Sequence, residues 1–155
     1  MARLLSDRIK ELGLELPQVS KPGANYIPFV RTGNLLYVSG QVCQWNGERR
    51  FIGKLGREFE VEDGQEAAKL CALNVLSQLG VAIEDDLDRF VRTVRVGGFV
   101  NCTPDFAAQP QVINGASDLL IEVLGEAGRH ARTAIGVGAL PAGVAVEVDA
   151  IFEIR

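Results

Sequence analysis

The final stretch, His130 to Arg155, constrains the fold more than any other part of the chain. Val144, Val146, Val148, Ala150, Phe152 and Ile154 fall on one phase of a two-residue alternation. Ala145, Glu147, Asp149, Ile151, Glu153 and Arg155 fall on the other. Period two with one wholly apolar phase is the pattern of a half-buried strand. A first strand, small and apolar, precedes it, and Leu140-Pro141-Ala142-Gly143 reads as the turn between them, so the two are expected to form a hairpin. The first strand carries Arg132 among Gly and Ala residues, which leaves open space around its guanidinium. That planar fork matches a carboxylate or phosphate in bidentate fashion. Two readings of Arg132 follow: a structural ion pair with Glu147 or Asp149, or an anion-binding residue of a small-molecule site.

Length and composition narrow the class. The chain has 155 residues, enough for one domain, with 47% hydrophobic and 23% charged residues, the proportions of an ordinary soluble globular protein. The net charge is −4 and no Lys/Arg cluster stands out, which argues against a nucleic-acid partner. Charges interrupt every apolar run near the start, so neither a signal peptide nor a membrane span is expected. Cys43, Cys71 and Cys102 contain no CxxC pair and suggest neither a disulfide framework nor a zinc site. A reducing cytoplasm is the simplest location. His130 is the only histidine, which disfavours metal sites and histidine-based triads. No cofactor and no metal are expected.

Taken in order, Ser6 to Leu14 reads as a short amphipathic helix within an N-terminal extension spanning residues 1–22, ended by Pro17 and Lys21-Pro22-Gly23. Phe29 to Arg31, Thr32-Gly33-Asn34 and Leu35 to Ser39 read as a hairpin, since Gly and Asn tolerate positive φ. Ser39-Gly40-Gln41 closes it. A Gly there marks either a bulge or a place where another group approaches the backbone closely. Cys43 to Glu60 is irregular, with room for a third short strand. A long helix is expected from about Glu62 to Leu79, with Asp63 as N-cap, Glu66 completing a capping box and Gly80 as the stop. Its buried stripe would be Ala68, Cys71, Ala72, Val75, Leu76 and Leu79, which makes Cys71 a core residue. A strand lies within Leu87 to Val100. Thr103-Pro104 resembles a helix start, and a second helix runs from about Pro110 to Leu124, carrying Asn114 in its first turns. Cys102, at a strand end, is the cysteine with a prospect of exposure. The order β-β-β-α-β-α-β-β makes an α+β sandwich of one sheet with two long helices on one face. The other sheet face is not fully polar and invites a symmetric oligomer.

Three ordered blocks resemble a known family. They are Tyr26 with the Gly33–Val42 run GNLLYVSGQV, Asn114 in VINGASDLL, and HART followed by LPAGVAVEVDAI with Arg132, Leu140, Pro141 and Glu147. The resemblance is to the YjgF or Rid (reactive intermediate deaminase) family, in its longer branch of roughly 150 residues, and covers Tyr26 to Arg155. It implies a chorismate-mutase-like fold with a mixed sheet, a homotrimer whose sheets face inward as a central barrel, and ligand clefts between subunits. It also implies hydrolysis of reactive enamines or imines, of the 2-aminoacrylate type, to 2-keto acids and ammonia without cofactor or metal.

The roles implied are specific. Arg132 would clamp the substrate carboxylate, and Glu147 would position or activate the attacking water. Tyr26 would close the pocket, Ser39 and Gly40 would line it, and Asn114 would form its wall or an interface bond. His130 shares the alternation face of Arg132. In a tight C-terminal hairpin Glu147 would lie opposite Gly136, with Arg132 roughly 13 Å further along. A ligand between the two, or a meeting across subunits, are the arrangements left open. Imine-hydrolysing relatives often carry Cys two residues after the Arg, where this chain has Ala134. That departure keeps a non-catalytic binder or sensor of small carboxylates as an alternative. Endoribonuclease or translation-inhibitor activity, described for some relatives, fits the acidic balance poorly.

Overall fold

The computed structural model describes residues 1–155. The chain forms α1 (Leu5–Glu11), β1 (Phe29–Thr32), β2 (Leu35–Val42), β3 (Gln44–Trp45), β4 (Glu48–Arg49), α2 (Val61–Ala82), β5 (Phe90–Asn101), α3 (Gln109–Leu124), β6 (Ala131–Val137) and β7 (Val146–Ile154). Five strands make one sheet in the order β1-β2-β7-β5-β6, and β3 and β4 form a separate small ribbon. All pairings in the large sheet are antiparallel except β5 with β6, which are parallel and joined through α3. The fold is therefore α+β with a mixed sheet, α2 and α3 covering one face.

The alternation read in the C-terminal stretch places β7 at the centre. Val146, Val148, Ala150, Phe152 and Ile154 are all buried under the helices. Each of the larger ones contributes roughly 1.5–3 kcal/mol by leaving water. The expected C-terminal hairpin does not form. β7 runs between β2 and β5, and β6 lies beyond β5 at the sheet edge. A strand buried on one full face gains most where both of its edges are paired, and β6 is brought to β5 by the α3 crossover. The Leu140–Gly143 turn, with Ala142 at φ 55° and Gly143 at φ 71°, instead carries the chain past the end of β5.

The hairpin at Gly33-Asn34 forms as expected: Thr32 pairs with Leu35, and Gly33 takes φ 57°. The irregular stretch from Cys43 holds two short strands rather than one. Helix α2 starts earlier than expected, and Asp63 is not its N-cap. The Asp63 carboxylate accepts from the Glu60 backbone N–H at 2.9 Å, so Glu60 occupies the cap and Asp63 the third helical position. Gly80 does not stop the helix. It faces the Leu5 side chain, and the chain turns only at Glu84 and Asp85, both at positive φ. Asp85 then accepts from the Ser6 backbone N–H and hydroxyl, fixing the start of α1, whose Leu5 and Ile9 are core residues. Thr103-Pro104 forms a turn, because the Thr103 N–H is bound to the Leu55 carbonyl, and α3 begins at Gln109. The helices touch closely at Gly115, where a Cβ would collide with the Gln65 backbone carbonyl.

The uncovered sheet face is mixed. Exposed Val30, Tyr37 and Ile135 share it with Arg95, Asp149 and Glu147. Cys43, Cys71 and Cys102 are free and buried. Cys43 donates to the Arg50 carbonyl and Cys71 to the Val146 carbonyl, so both thiols serve the core, as expected of Cys71. No helix is long and apolar enough to cross a membrane.

Candidate functional site

The residues singled out in the sequence fall into two groups, one around Arg132 and one around Glu147, whose side chains lie on opposite faces of the sheet. The first surrounds Arg132 on the edge strand β6. Arg132 pairs with Val96, which in turn pairs with Ala150. Both neighbours are buried under the helices, so the Arg132 side chain rises on the helix face and meets the first turns of α3. Its Nη1 donates to Asn114 Oδ1 at 2.8 Å and to Ser117 Oγ at 3.3 Å, and its Nη2 donates to the Pro110 carbonyl at 3.4 Å. No acidic side chain pairs with it. The ion-pair reading of Arg132 is thereby corrected: Glu147 and Asp149 point to the opposite sheet face, where Asp149 lies 4.0 Å from Arg95. Of the five guanidinium N–H groups, Nε–H and one on Nη2 remain for a ligand, the number a bidentate carboxylate takes.

His130 belongs to this group. Its Nδ1 lies 2.6 Å from the Gly128 carbonyl and its Nε2 lies 2.9 Å from Ser117 Oγ. Burial pushes its pKa below the usual histidine range, and the Arg132 charge acts in the same direction against the Gly128 bond. Further along the same edge, Gly136, Gln109, Phe106 and Cys102 line a groove of about 310 Å³.

The second group surrounds Glu147. A cleft of about 350 Å³ is lined by Tyr26, Gly40, Gln41, Pro141, Glu147 and the Ser20–Ala24 segment, with Lys21 and Arg49 as its cations. Tyr26 is 50% exposed at the rim. The register slips between Val38 and Gln41, so Ser39 and Gly40 form a bulge. Gly40 also permits a close approach. A Cβ there would run into the Glu147 carboxylate, so both readings of this glycine hold at once. Ser39 is engaged elsewhere: its hydroxyl donates to the Ile27 carbonyl at 2.8 Å and holds the segment carrying Tyr26 against the bulge. Glu147 receives no hydrogen bond and no ion pair from the chain. Burial pushes its pKa above the usual glutamate range, and the nearby Asp149 charge adds to this. Such a carboxylate is suited to exchange a proton with a bound substrate or water.

One copy of the chain does not unite the two groups. Glu147 is level with Phe99 and Ile135, so it lies two strands from β6 and three residues from Arg132. That is roughly 10 Å across and roughly 10 Å along the sheet, with the side chains on opposite faces. Sequence reasoning missed Ser117, although it sits three residues after Asn114 and so on the same side of α3. It also missed Lys21 and Arg49, which lie in a loop and a two-residue strand without periodic signal. No group of three or more His, Cys, Asp or Glu side chains is placed to hold a metal ion.

Comparison with known proteins is consistent across sequence and structure. Protein TCP17 of Trypanosoma cruzi is 47% identical over 148 residues, covering 95% of this chain and 92% of that protein. The crystal structure of a protein of unknown function from Agrobacterium tumefaciens is 47% identical and superposes with a TM-score of 0.90, covering 98% of this chain and 94% of that one. A structure from Shewanella oneidensis, titled a "putative endoribonuclease", is 34% identical with a TM-score of 0.93, covering 98% of this chain and all of that one. Residues 6–151 match the family model described as "YjgF/chorismate_mutase-like, putative endoribonuclease". That span contains both Arg132 and Glu147, and the chain belongs to the YjgF family, with its chorismate-mutase-like fold.

Proposed function

We propose that this protein hydrolyses small 2-imino acids, or the enamines in equilibrium with them, to 2-keto acids and ammonia, in a cleft assembled from two copies of the chain. The observation that carries the reading is the Arg132 guanidinium: held by three protein acceptors, without an acidic partner, and with two N–H groups left for a carboxylate. Glu147 supplies the second function. Its unpaired carboxylate takes a proton from water as the oxygen attacks the imine carbon. Return of that proton to nitrogen gives the neutral carbinolamine, and relay of its hydroxyl proton to nitrogen through the same carboxylate breaks the C–N bond, releasing ammonia and leaving the ketone with the carboxylate regenerated. Uncatalysed hydrolysis is already fast, and positioning by Arg132 with one proton-transfer group suffices. No cofactor or metal enters this scheme.

The placement of the groups supports a cyclic assembly. Arg132 stands on the β6 edge, and the Tyr26–Glu147 cleft opens toward the β1–β2 side. A head-to-tail ring brings one such edge to the other side of the next copy, and a trimer with its uncovered sheet faces inward covers Val30, Tyr37 and Ile135.

The test is a coupled assay in which an amino acid oxidase generates a panel of imino acids. Wild type should accelerate their decay, and Arg132→Ala should not. No acceleration of any imine by wild type would overturn the reading. One observation favours a second reading, a non-catalytic binder of small keto acids: Ala134 stands where imine-hydrolysing relatives often carry Cys. Keto-acid binding without turnover by wild type would select it. The endoribonuclease wording attached to relatives meets a chain of net charge −4 with no basic stripe.

A further inference from the structure

Around Arg132 a continuous chain of hydrogen bonds has a direction that chemistry fixes. The Gly128 carbonyl only accepts, so the ring nitrogen 2.6 Å from it, His130 Nδ1, carries a hydrogen. In the neutral ring, which burial favours, Nε2 is then an acceptor, and its neighbour at 2.9 Å is the Ser117 hydroxyl. Ser117 therefore donates to His130 and turns its oxygen lone pairs toward Arg132 Nη1, a donor only, at 3.3 Å. Asn114 Oδ1 takes the other Nη1 hydrogen. With both Nη1 hydrogens bound, the guanidinium plane is fixed, and Nε and Nη2 carry the two N–H groups left for ligand.

We propose that Ser117 and His130 are positioning residues for Arg132, forming with the Gly128 carbonyl a directed hydrogen-bond chain that holds the guanidinium in its carboxylate-gripping orientation. The inference rests on the proposed role of Arg132 as carboxylate anchor, and adds two residues on which that anchor depends. Without the His130 acceptor, the Ser117 hydroxyl is free to rotate and to present its hydrogen toward the cation. Without the Ser117 oxygen, one Nη1 hydrogen loses its partner, and only the Asn114 bond and the longer 3.4 Å contact to the Pro110 carbonyl hold the plane.

Two measurements test this. The first compares 2-oxobutanoate binding and imine hydrolysis in Ser117→Ala, His130→Asn and His130→Gln. Asn keeps a donor near the Nδ1 position but provides no acceptor for Ser117, whereas Gln reaches the Nε2 position and can accept. Ser117→Ala and His130→Asn should each weaken 2-oxobutanoate about ten-fold, with the loss expressed in KM rather than kcat, and His130→Gln should recover most of it. Wild-type affinity in both Ser117→Ala and His130→Asn overturns the proposal, as does equal loss in His130→Asn and His130→Gln. The second is the ¹⁵N spectrum of the imidazole, unambiguous because His130 is the only histidine. A neutral Nδ1–H tautomer at pH 7 is expected, and an Nε2–H tautomer or an imidazolium overturns the chain as drawn. If wild type binds no 2-oxo acid, the proposed function fails, and the tautomer then decides the hydrogen-bond chain by itself.

Discussion

The two halves of the candidate site are built on opposite principles. Around Arg132 nearly every polar group is satisfied by another, and the groups sit on the edge strand β6 and on α3, whose inner face is buried. Around Glu147 the carboxylate has no partner, and much of the wall is loop, from Ser20 to Ala24, with Tyr26 half exposed at the rim. The contrast matches two chemical tasks. Gripping a carboxylate rewards a donor whose geometry is fixed beforehand, because ordering it at the moment of binding would cost affinity. Moving a proton rewards a group whose charged form is not over-stabilised, and an unpaired, partly buried carboxylate meets that requirement.

Substitutions can break or sharpen this comparison. The largest effect is expected from Arg132→Ala, which removes the anchor while leaving neutral partners behind. Keto-acid affinity should fall at least about 100-fold, read by calorimetry, with kcat/KM for imines falling in parallel. Glu147→Gln should lower kcat by roughly 100-fold in the oxidase-coupled assay and leave keto-acid affinity within about three-fold of wild type. Equal loss of binding in both variants would dissolve the division of labour. Gly40→Ala comes next. Its Cβ meets the Glu147 carboxylate, so the side chain or the bulge must shift. A loss of kcat of about ten-fold and of about 1–3 kcal/mol in chemical denaturation is expected, with keto-acid binding at Arg132 much less affected.

The smallest effect concerns pH. Burial and the Asp149 charge raise the Glu147 pKa in the folded state above the unfolded value of about 4.3. The folded protein thus holds that proton more tightly than the unfolded chain. Its favourable contribution to stability is present below the unfolded pKa and lost as pH rises through the raised folded value. At neutral pH the ionised side chain opposes folding, so Glu147→Gln should keep or raise Tm while it lowers kcat. The acid limb of kcat in wild type should lie above the ordinary carboxylate range and vanish from the residual activity of Glu147→Gln.

How legible each half was in the sequence follows from the same contrast. The alternation of Val144 to Ile154 identified a half-buried strand, and Gly40 announced a close approach, which turned out to be that of Glu147. Helical spacing located the core of α2, including Cys71. Pairing partners were harder to read. Two strands adjacent in sequence and joined by Pro-Ala-Gly resemble a hairpin, yet β5 lies between them, because the parallel β5–β6 pair is set by the α3 crossover rather than by the turn. That single difference moves Arg132 and Glu147 from one face of a hairpin, roughly 13 Å apart, to opposite faces of the sheet. Capping showed a similar limit: Asp63 signalled a helix start, and only the accepted bond from Glu60 distinguishes cap from third residue. Ser117 had a signal in its spacing from Asn114, while its link to His130 depends on how the chain returns from α3 to β6.

The central claim is that a working cleft takes Arg132 from one copy and Glu147 from another. Subunit mixing tests it most directly. Arg132→Ala and Glu147→Gln, each strongly impaired alone, are co-expressed with different tags, and the mixed oligomers are isolated and assayed for imine hydrolysis. In every mixed trimer one cleft of the three combines an intact Arg132 with an intact Glu147 from its neighbour, so activity should return to roughly one third of wild type. Mixed oligomers no more active than the two variants measured separately would contradict the composite cleft.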